Sequence, residues 1–228
     1  MSGPSERAPD AKEGLSPYAW MSVRDGELVK TVLLSAGRRE AGRLRVLEWG
    51  AGQSTLSYSR ILVEQGIPFH WLTLEYDRGF FDTSLAPKLL NQRWADTVLR
   101  RIDDGETVRG PVRDVRADIE AVCWNRTALR PTRHTADRTA DLDGYVDYPA
   151  STGHGFDVII VDGRKRRRCL LAALALMRPD TIVLLHDAGR RQYQCALERY
   201  PASAFLGDDL WAGTSSAARL DEALADGR

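Results

Sequence analysis

From Arg45 onward, short apolar runs alternate with longer stretches whose apolar residues recur at three- and four-residue spacing. A parallel sheet with crossover helices looks like this in a sequence. The spacing predicts a first helix over Ser22 to Ala36, with Val29, Val32 and Leu33 inward and Gly37 as its stop. The first strand is Val46 to Trp49, followed by a helix from Ser54 to Gln65 that ends at Gly66. Trp71 to Glu75 reads as the second strand, Ala86 to Arg101 as a weaker helix, and Val112 to Val115 as the third strand. Phe156 to Asp162 is the clearest strand, because Val158-Ile159-Ile160-Val161 is β-branched throughout and suits burial on both faces. A helix with Leu170, Ala173, Leu174 and Met177 inward follows and closes at Pro179. Thr181 to His186 is the next strand, and Ala204 to Leu206 and Leu210 to Ala212 are two short ones.

Two segments break the alternation. Residues 1–16 mix Ser, Pro, Ala, Glu and Lys without period and read as a mobile tail ahead of one domain over 17–228. Residues 116–155 are rich in Arg, Asp and Thr and read as a polar insertion beside the site, with Tyr145 to Pro149 as its docking element.

Composition narrows the function classes. The 228 residues carry 32 basic and 32 acidic side chains, so no overall field favours a polyanion, and a nucleic-acid partner is disfavoured. No run approaches the roughly 18 apolar residues that cross a bilayer, and the N-terminus lacks an apolar signal stretch; a cytoplasmic protein without a membrane partner is expected. Cys123, Cys169 and Cys195 are widely spaced and outside any CxxC pair, which fits buried reduced thiols rather than a disulfide framework or zinc site. The Arg- and Ala-rich composition suits a GC-rich bacterial genome and, within it, specialised metabolism.

The most informative segment is Glu48-Trp49-Gly50-Ala51-Gly52-Gln53-Ser54-Thr55, where a buried strand turns into a helix. Gly50 and Gly52 allow a sharp bend and close approach of backbone to a ligand, and the helix opening at Ser54 offers unpaired N–H groups. Acids flank the bend: Glu48 before it, and Glu75 at the end of the next strand, where a carboxylate can accept both hydroxyls of a ribose.

These residues, with Leu74-Glu75 and Phe156-Asp157-Val158-Ile159-Ile160-Val161-Asp162-Gly163, resemble the class I S-adenosylmethionine-dependent methyltransferases over about Val46 to Gly189. The resemblance implies an α/β fold: a Rossmann-like, doubly wound, mostly parallel sheet with helices on both faces. It implies S-adenosylmethionine as cofactor, held by Glu48, Trp49, Gly50, Gly52, Ser54, Glu75 and Asp162. An acid after the third strand would face the adenine, matched here by Asp118 with Asp114 competing. A nicotinamide dinucleotide is the rival ligand. Its fingerprint puts a third glycine where this chain has Thr55, and Glu48 would repel a pyrophosphate while suiting an ammonium group.

In an open parallel sheet, ligands meet the carboxyl ends of the strands, which brings Asp162-Gly163-Arg164 and His186-Asp187 to the rim of the glycine bend. Methyl transfer needs the acceptor atom held in line and, for a hydroxyl or ammonium, a proton removed. His186 is the candidate base, with Asp187, Asp162 and Arg164 completing the catalytic set. Asp162 and Asp187 would also suit magnesium, but the fifth strand ends His-Asp rather than Asp-Asn or Asp-Asp and no third acid is evident, so a metal is not favoured. The run Arg164-Lys165-Arg166-Arg167-Arg168 opposes a helix dipole at its first turn, which points to an anionic partner met by Arg164, with Arg190 and Arg191 nearby. Tyr18, Trp20 and Met21, ahead of the first helix, are placed to cover a ligand or simply to pack.

The expected function is therefore methyl transfer to an oxygen or nitrogen of a small, anionic metabolite. The alternatives are a nucleic-acid or protein methyltransferase, against which stands the lack of an Asn/Asp-Pro-Pro-aromatic motif after the fourth strand, and a non-catalytic S-adenosylmethionine-binding partner protein. Self-association into a homo-oligomer stays open.

Overall fold

Val158–Val161 and Ile182–Leu185 bury every side chain, as expected of strands inside a sheet covered on both faces. They belong to a nine-stranded sheet in a computed structural model that describes residues 15–39, 42–113, 116–124 and 141–225. In chain order the elements begin with α1 (Val23–Arg39), β1 (Leu44–Trp49), α2 (Gln53–Glu64) and β2 (Phe69–Glu75). Helical residues follow as α3 (Arg78–Phe80), a π turn over Phe81–Leu85, and α4 (Ala86–Asn91). Next come β3 (Asp96–Arg101), β4 (Glu106–Arg109), β5 (Ala117–Cys123) and α5 (Asp143–Ser151). The remainder is β6 (Val158–Val161), α6 (Arg166–Leu176), β7 (Ile182–Leu185), α7 (Gln194–Leu197), β8 (Ala202–Phe205), β9 (Trp211–Thr214) and α8 (Ala217–Ala225).

The strand order is β4-β3-β5-β2-β1-β6-β7-β9-β8. Strands β3, β5, β2, β1, β6 and β7 are parallel neighbours, and β4, β9 and β8 join by antiparallel pairing. One core, under α1, α2, α4 and α8, contains Val46, Trp71 and Ile160; the other, under α5, α6 and α7, contains Leu47, Trp49 and Ile159. Successive strand residues thus feed opposite helical layers, the doubly wound arrangement that the resemblance implies. The chain goes outward from β1 through β2 to β3 and the edge strand β4, comes back to place β5 between β3 and β2, and then starts β6 on the other side of β1. The reversal leaves a crevice beyond the carboxyl ends of β1 and β6, where such sheets bind ligands.

Four expectations need correcting. Gly37 does not stop α1, which runs on to Arg39; the glycine instead lets the helix approach Ile67, whose Cγ2 would lie 2.5 Å from a Cβ there. Cys195 is exposed, while Cys123 and Cys169 are buried. The helix foreseen over Ala86 to Arg101 stops at Asn91, and 96–101 form β3. Gln92 ends it by folding its amide back onto the Trp94 and Ala95 N–H groups, at 2.7 and 2.9 Å, while Thr97 and Leu99 alternate inward as strand residues. The third parallel strand lies not at Val112 to Val115 but at Ala117–Cys123, inside the stretch read as polar insertion and central in the sheet. Its polar members are satisfied by neighbours: Asp118 pairs with His70 and Arg43, and Glu120 with Arg100 at 2.5 Å. Tyr145 and Pro149 dock as foreseen, on α5. Asp114, Val115 and residues 125–140 lie outside the described residues.

Candidate functional site

The bend after β1 can exist only as glycine. Gly50 has φ +103°, and a Cβ there would stand 2.5 Å from the Gly163 amide nitrogen; one on Gly163 would meet the Gly50 nitrogen at 2.8 Å and the Tyr145 hydroxyl. The bends after β1 and β6 therefore touch backbone to backbone at the reversal point of the sheet. Gly52 differs: nothing lies within 4 Å of a Cβ built on it. Above these bends is a cavity of about 1360 Å³ bordered by Gly50, Gly52, Ser54, Glu75, Asp162, Gly163 and Arg164.

Glu75 enters it from the end of β2. Its Oε1 accepts the Tyr76 and Asp77 N–H groups at 2.8 and 2.7 Å, and among the described residues Oε2 has no hydrogen-bond partner. The side chain is 5% exposed, and burial, opposed by the two N–H donors, pushes its pKa up to about 8. Once deprotonated, it is a fixed acceptor with one oxygen to spare.

Glu48 is placed differently. It is wholly buried and does not border the cavity. Its oxygens accept Ser54 Oγ at 2.5 Å, Thr55 Oγ1 at 2.6 Å, Trp71 Nε1 at 2.9 Å and Thr73 Oγ1 at 2.9 Å. Burial raises its pKa against the effect of these four donors. Because Thr55 Oγ1 also accepts the Gly52 N–H at 3.0 Å, Glu48 ties β1, β2, the bend and the first turn of α2 together. Trp49 faces the opposite core and donates its Nε1–H to the Tyr145 carbonyl at 3.1 Å.

Asp118 is not brought to this site. It lies opposite His70 near the amino end of its strand, whereas Glu75 lies opposite Cys123 at the carboxyl end. Five residues of strand, about 16 Å, separate Asp118 from the rim.

At the far wall, Asp162 borders the cavity while His186 and Asp187 stand behind it. His186 Nδ1 is 3.1 Å from Asp162 Oδ1. Burial lowers the His186 pKa, but the hydrogen bond and charge of Asp162, together with Asp187, outweigh it and leave a net rise above the usual value. Arg164 stacks on Tyr76, its guanidinium 5.3 Å from the ring centre, and its Nε donates to the Tyr76 hydroxyl at 3.0 Å.

Arg166 was noticed in the sequence only as one cation in a run, yet it organises this wall. Its Nε donates to Gly163 O at 3.0 Å, Nη1 to His186 O at 2.6 Å and Asp187 Oδ2 at 3.0 Å, and Nη2 to Asp162 O and Oδ1, each at 2.9 Å. One planar fork thereby locks the ends of β6 and β7 and supplies positive charge between the two acids. Asp187, held at φ 56°, also accepts from Arg190 at 2.5 Å. Asp187, an acid at a strand end with arginines three and four residues beyond, is the signal the sequence offers for this wall.

No protein-family model matches the sequence, and no curated protein matches it. Among solved structures, a methyltransferase-like protein from Silicibacter pomeroyi is 18% identical, with 88% of this chain and 92% of that chain covered and a TM-score of 0.50. Human methyltransferase-like protein 13 in complex with SAH is 12% identical, with 88% of each chain covered and the same TM-score. The chain has the Rossmann-like fold of these methyltransferase-like proteins.

Proposed function

We propose that this protein is an S-adenosylmethionine-dependent methyltransferase acting on an oxygen or nitrogen of a small, anionic acceptor. The observation that carries the reading is the shared cavity of Glu75 and the glycine bend at the reversal point of the sheet. The residues present fit such a cofactor: Gly52 leaves open space, Gly50 and Gly163 carry no side chains to obstruct the floor, and Glu75 keeps one carboxylate oxygen without a protein partner among the described residues. Two vicinal ribose hydroxyls suit that acceptor. When bound, S-adenosylmethionine supplies an electrophilic methyl group on a positively charged sulfur.

The roles of the chain's own residues follow from their placement. Glu75 holds the ribose. Gly50 and Gly52 let the backbone approach the ligand, and Ser54 borders it. Glu48 acts at one remove, fixing Ser54 and Thr55 so that the bend and the first turn of α2 keep their shape. Asp162 faces the acceptor and receives its proton, and His186 behind it shares that proton through the 3.1 Å contact. The base is thus reached through Asp162 rather than being His186 alone. A cavity of about 1360 Å³ exceeds the 300–1,000 Å³ or so usual for a single small ligand, which leaves room for an acceptor beside the cofactor.

Titration calorimetry with S-adenosylhomocysteine and with NAD tests the assignment. S-adenosylhomocysteine is expected to bind with a micromolar constant and NAD not at all. Binding of NAD alone would replace the methyltransferase reading by the dinucleotide one.

A further inference from the structure

Trp20 is 85% exposed, yet it borders the cavity. A lone exposed aromatic is ordinarily unremarkable, but the segment presenting this one is pinned on both sides. Leu15 bridges Ser22, Ser16 N donates to Met21 O at 2.8 Å, and Met21 N donates to Ala19 O at 2.9 Å. Tyr18 donates to Glu27 at 2.9 Å and packs on the Tyr58 ring at 5.6 Å, while Ala19 and Met21 are buried. The chain on either side of Trp20 is anchored, and the indole alone is left in the open at the cavity. Phe80, 38% exposed, borders the same cavity from the β2 side.

The cavity's charge supplies the complement. Of its cations, Arg166, Arg168 and Arg190 are paired with Asp162, Asp143 or Asp187. Lys88, Lys165 and Arg167 border it with no carboxylate within ion-pair distance among the described residues. Lys165 holds a left-handed backbone, φ 54°, a conformation disfavoured for a residue with a side chain. Uncompensated cations around a concave, partly apolar wall concentrate anions there.

We propose that the acceptor is a planar aromatic anion, its ring stacked on Trp20 and its phosphate or carboxylate met by Lys165 and Arg167. This deepens the methyltransferase reading and rests on it for calling the ligand an acceptor; the subsite itself rests on Trp20 and the cations that have no ion pair among the described residues. Lys165 and Arg167 border the same cavity as Asp162, the acid assigned to take the proton. Trp20 then selects for flatness and the cations for charge.

The test uses the full chain, first titrated with S-adenosylhomocysteine and then, in its presence, with phenyl phosphate, benzoate, cyclohexyl phosphate and inorganic phosphate, following heat and tryptophan emission. Phenyl phosphate is expected to bind at least tenfold more tightly than cyclohexyl phosphate or inorganic phosphate, and to change the emission of Trp20. Benzoate against phenyl phosphate tells which anionic head the site prefers. Trp20→Ala should lose about tenfold for the aromatic anions and little for inorganic phosphate, with Trp20→Phe recovering most of it, whereas Arg167→Met should weaken every phosphate. Equal affinity for the phenyl and cyclohexyl esters, or a Trp20→Ala variant unchanged towards phenyl phosphate, overturns the subsite. Failure of S-adenosylhomocysteine to bind while phenyl phosphate still binds through Trp20 would instead overturn the methyltransferase reading and leave the subsite standing.

Discussion

The backbones of Gly50 and Gly163 press against each other so closely that neither position has room for a methyl group: a Cβ on Gly50 would lie 2.5 Å from the Gly163 nitrogen and 2.7 Å from its Cα. Gly50→Ala adds a positive φ to that clash and is expected to cost about 3 kcal/mol or more, lowering the melting temperature by some 6 °C or more. Gly52→Ala meets nothing within 4 Å and has extended backbone at φ 178°, so its melting should stay within about 0.5 kcal/mol of wild type while S-adenosylhomocysteine affinity drops. Calorimetric melting and ligand titration of the two variants separate floor from lining.

Glu75 couples binding to stability. Its pKa of about 8 lies above the usual carboxylate value of 4.5 because burial disfavours the charge. Between those values the folded protein keeps a proton that the unfolded chain has released, so stability is fully present below about pH 4.5 and declines as pH rises through 8. Glu75→Gln, which keeps an acceptor for the two N–H groups, should be more stable than wild type at pH 8 by on the order of a few kcal/mol, seen as a higher melting temperature, and match it near pH 4.5. The same variant should bind S-adenosylhomocysteine at least tenfold more weakly. Melting curves across that pH range would contradict the account if the two proteins ran in parallel.

Removing the Arg166 fork leaves Asp162 and Asp187 facing one another with less compensation and unties the ends of β6 and β7. Arg166→Met is expected to cost about 3 kcal/mol. Arg166→Lys, which restores charge but not the planar fork, should recover only part of it. The adjacent Arg167→Met, at an exposed position without an ion pair among the described residues, should change the unfolding free energy from urea titration by no more than about 0.5 kcal/mol.

His186 predicts a pH dependence of the opposite origin. Burial lowers its pKa, and Asp162 and Asp187 raise it further than burial lowers it, for a net rise above 6.5. Protonated His186 therefore contributes stability that is present below about pH 6.5 and lost as pH climbs through its folded value. Turnover should follow the reverse course, rising as His186 loses its proton, with a midpoint above 6.5 that disappears in His186→Asn. Rate profiles of the two proteins with one acceptor check this, and an unchanged profile in the variant would remove His186 from the proton path.

The parallel centre of the fold was readable because β6 and β7 are continuous apolar runs and β1 and β2 are short, mostly apolar segments set between helical patterns, as in a sheet covered on both faces. Strand β5 was not, since Asp118 and Glu120 give it the look of the polar chain around it; their partners His70, Arg43 and Arg100 come from other strands or from the turn before β1, and no local pattern announces them. Strand β3 was absorbed into a helix for want of a breaker, the stop being the Gln92 side chain rather than a glycine or proline. In the site, the glycine bend and Glu75 were legible from spacing alone. The four donors around Glu48 and the hub at Arg166 were not, because Glu48 collects partners from α2 and β2, and Arg166 from the ends of β6 and β7, which only the folded sheet brings together.

The most direct measurement is a crystal structure with S-adenosylhomocysteine. Its ribose hydroxyls are expected on Glu75, its sulfur above the bend from Gly50 to Gly52, and empty volume between that sulfur and Asp162. A ligand bound away from Glu75, or a crevice that admits none at millimolar concentration, would contradict that placement.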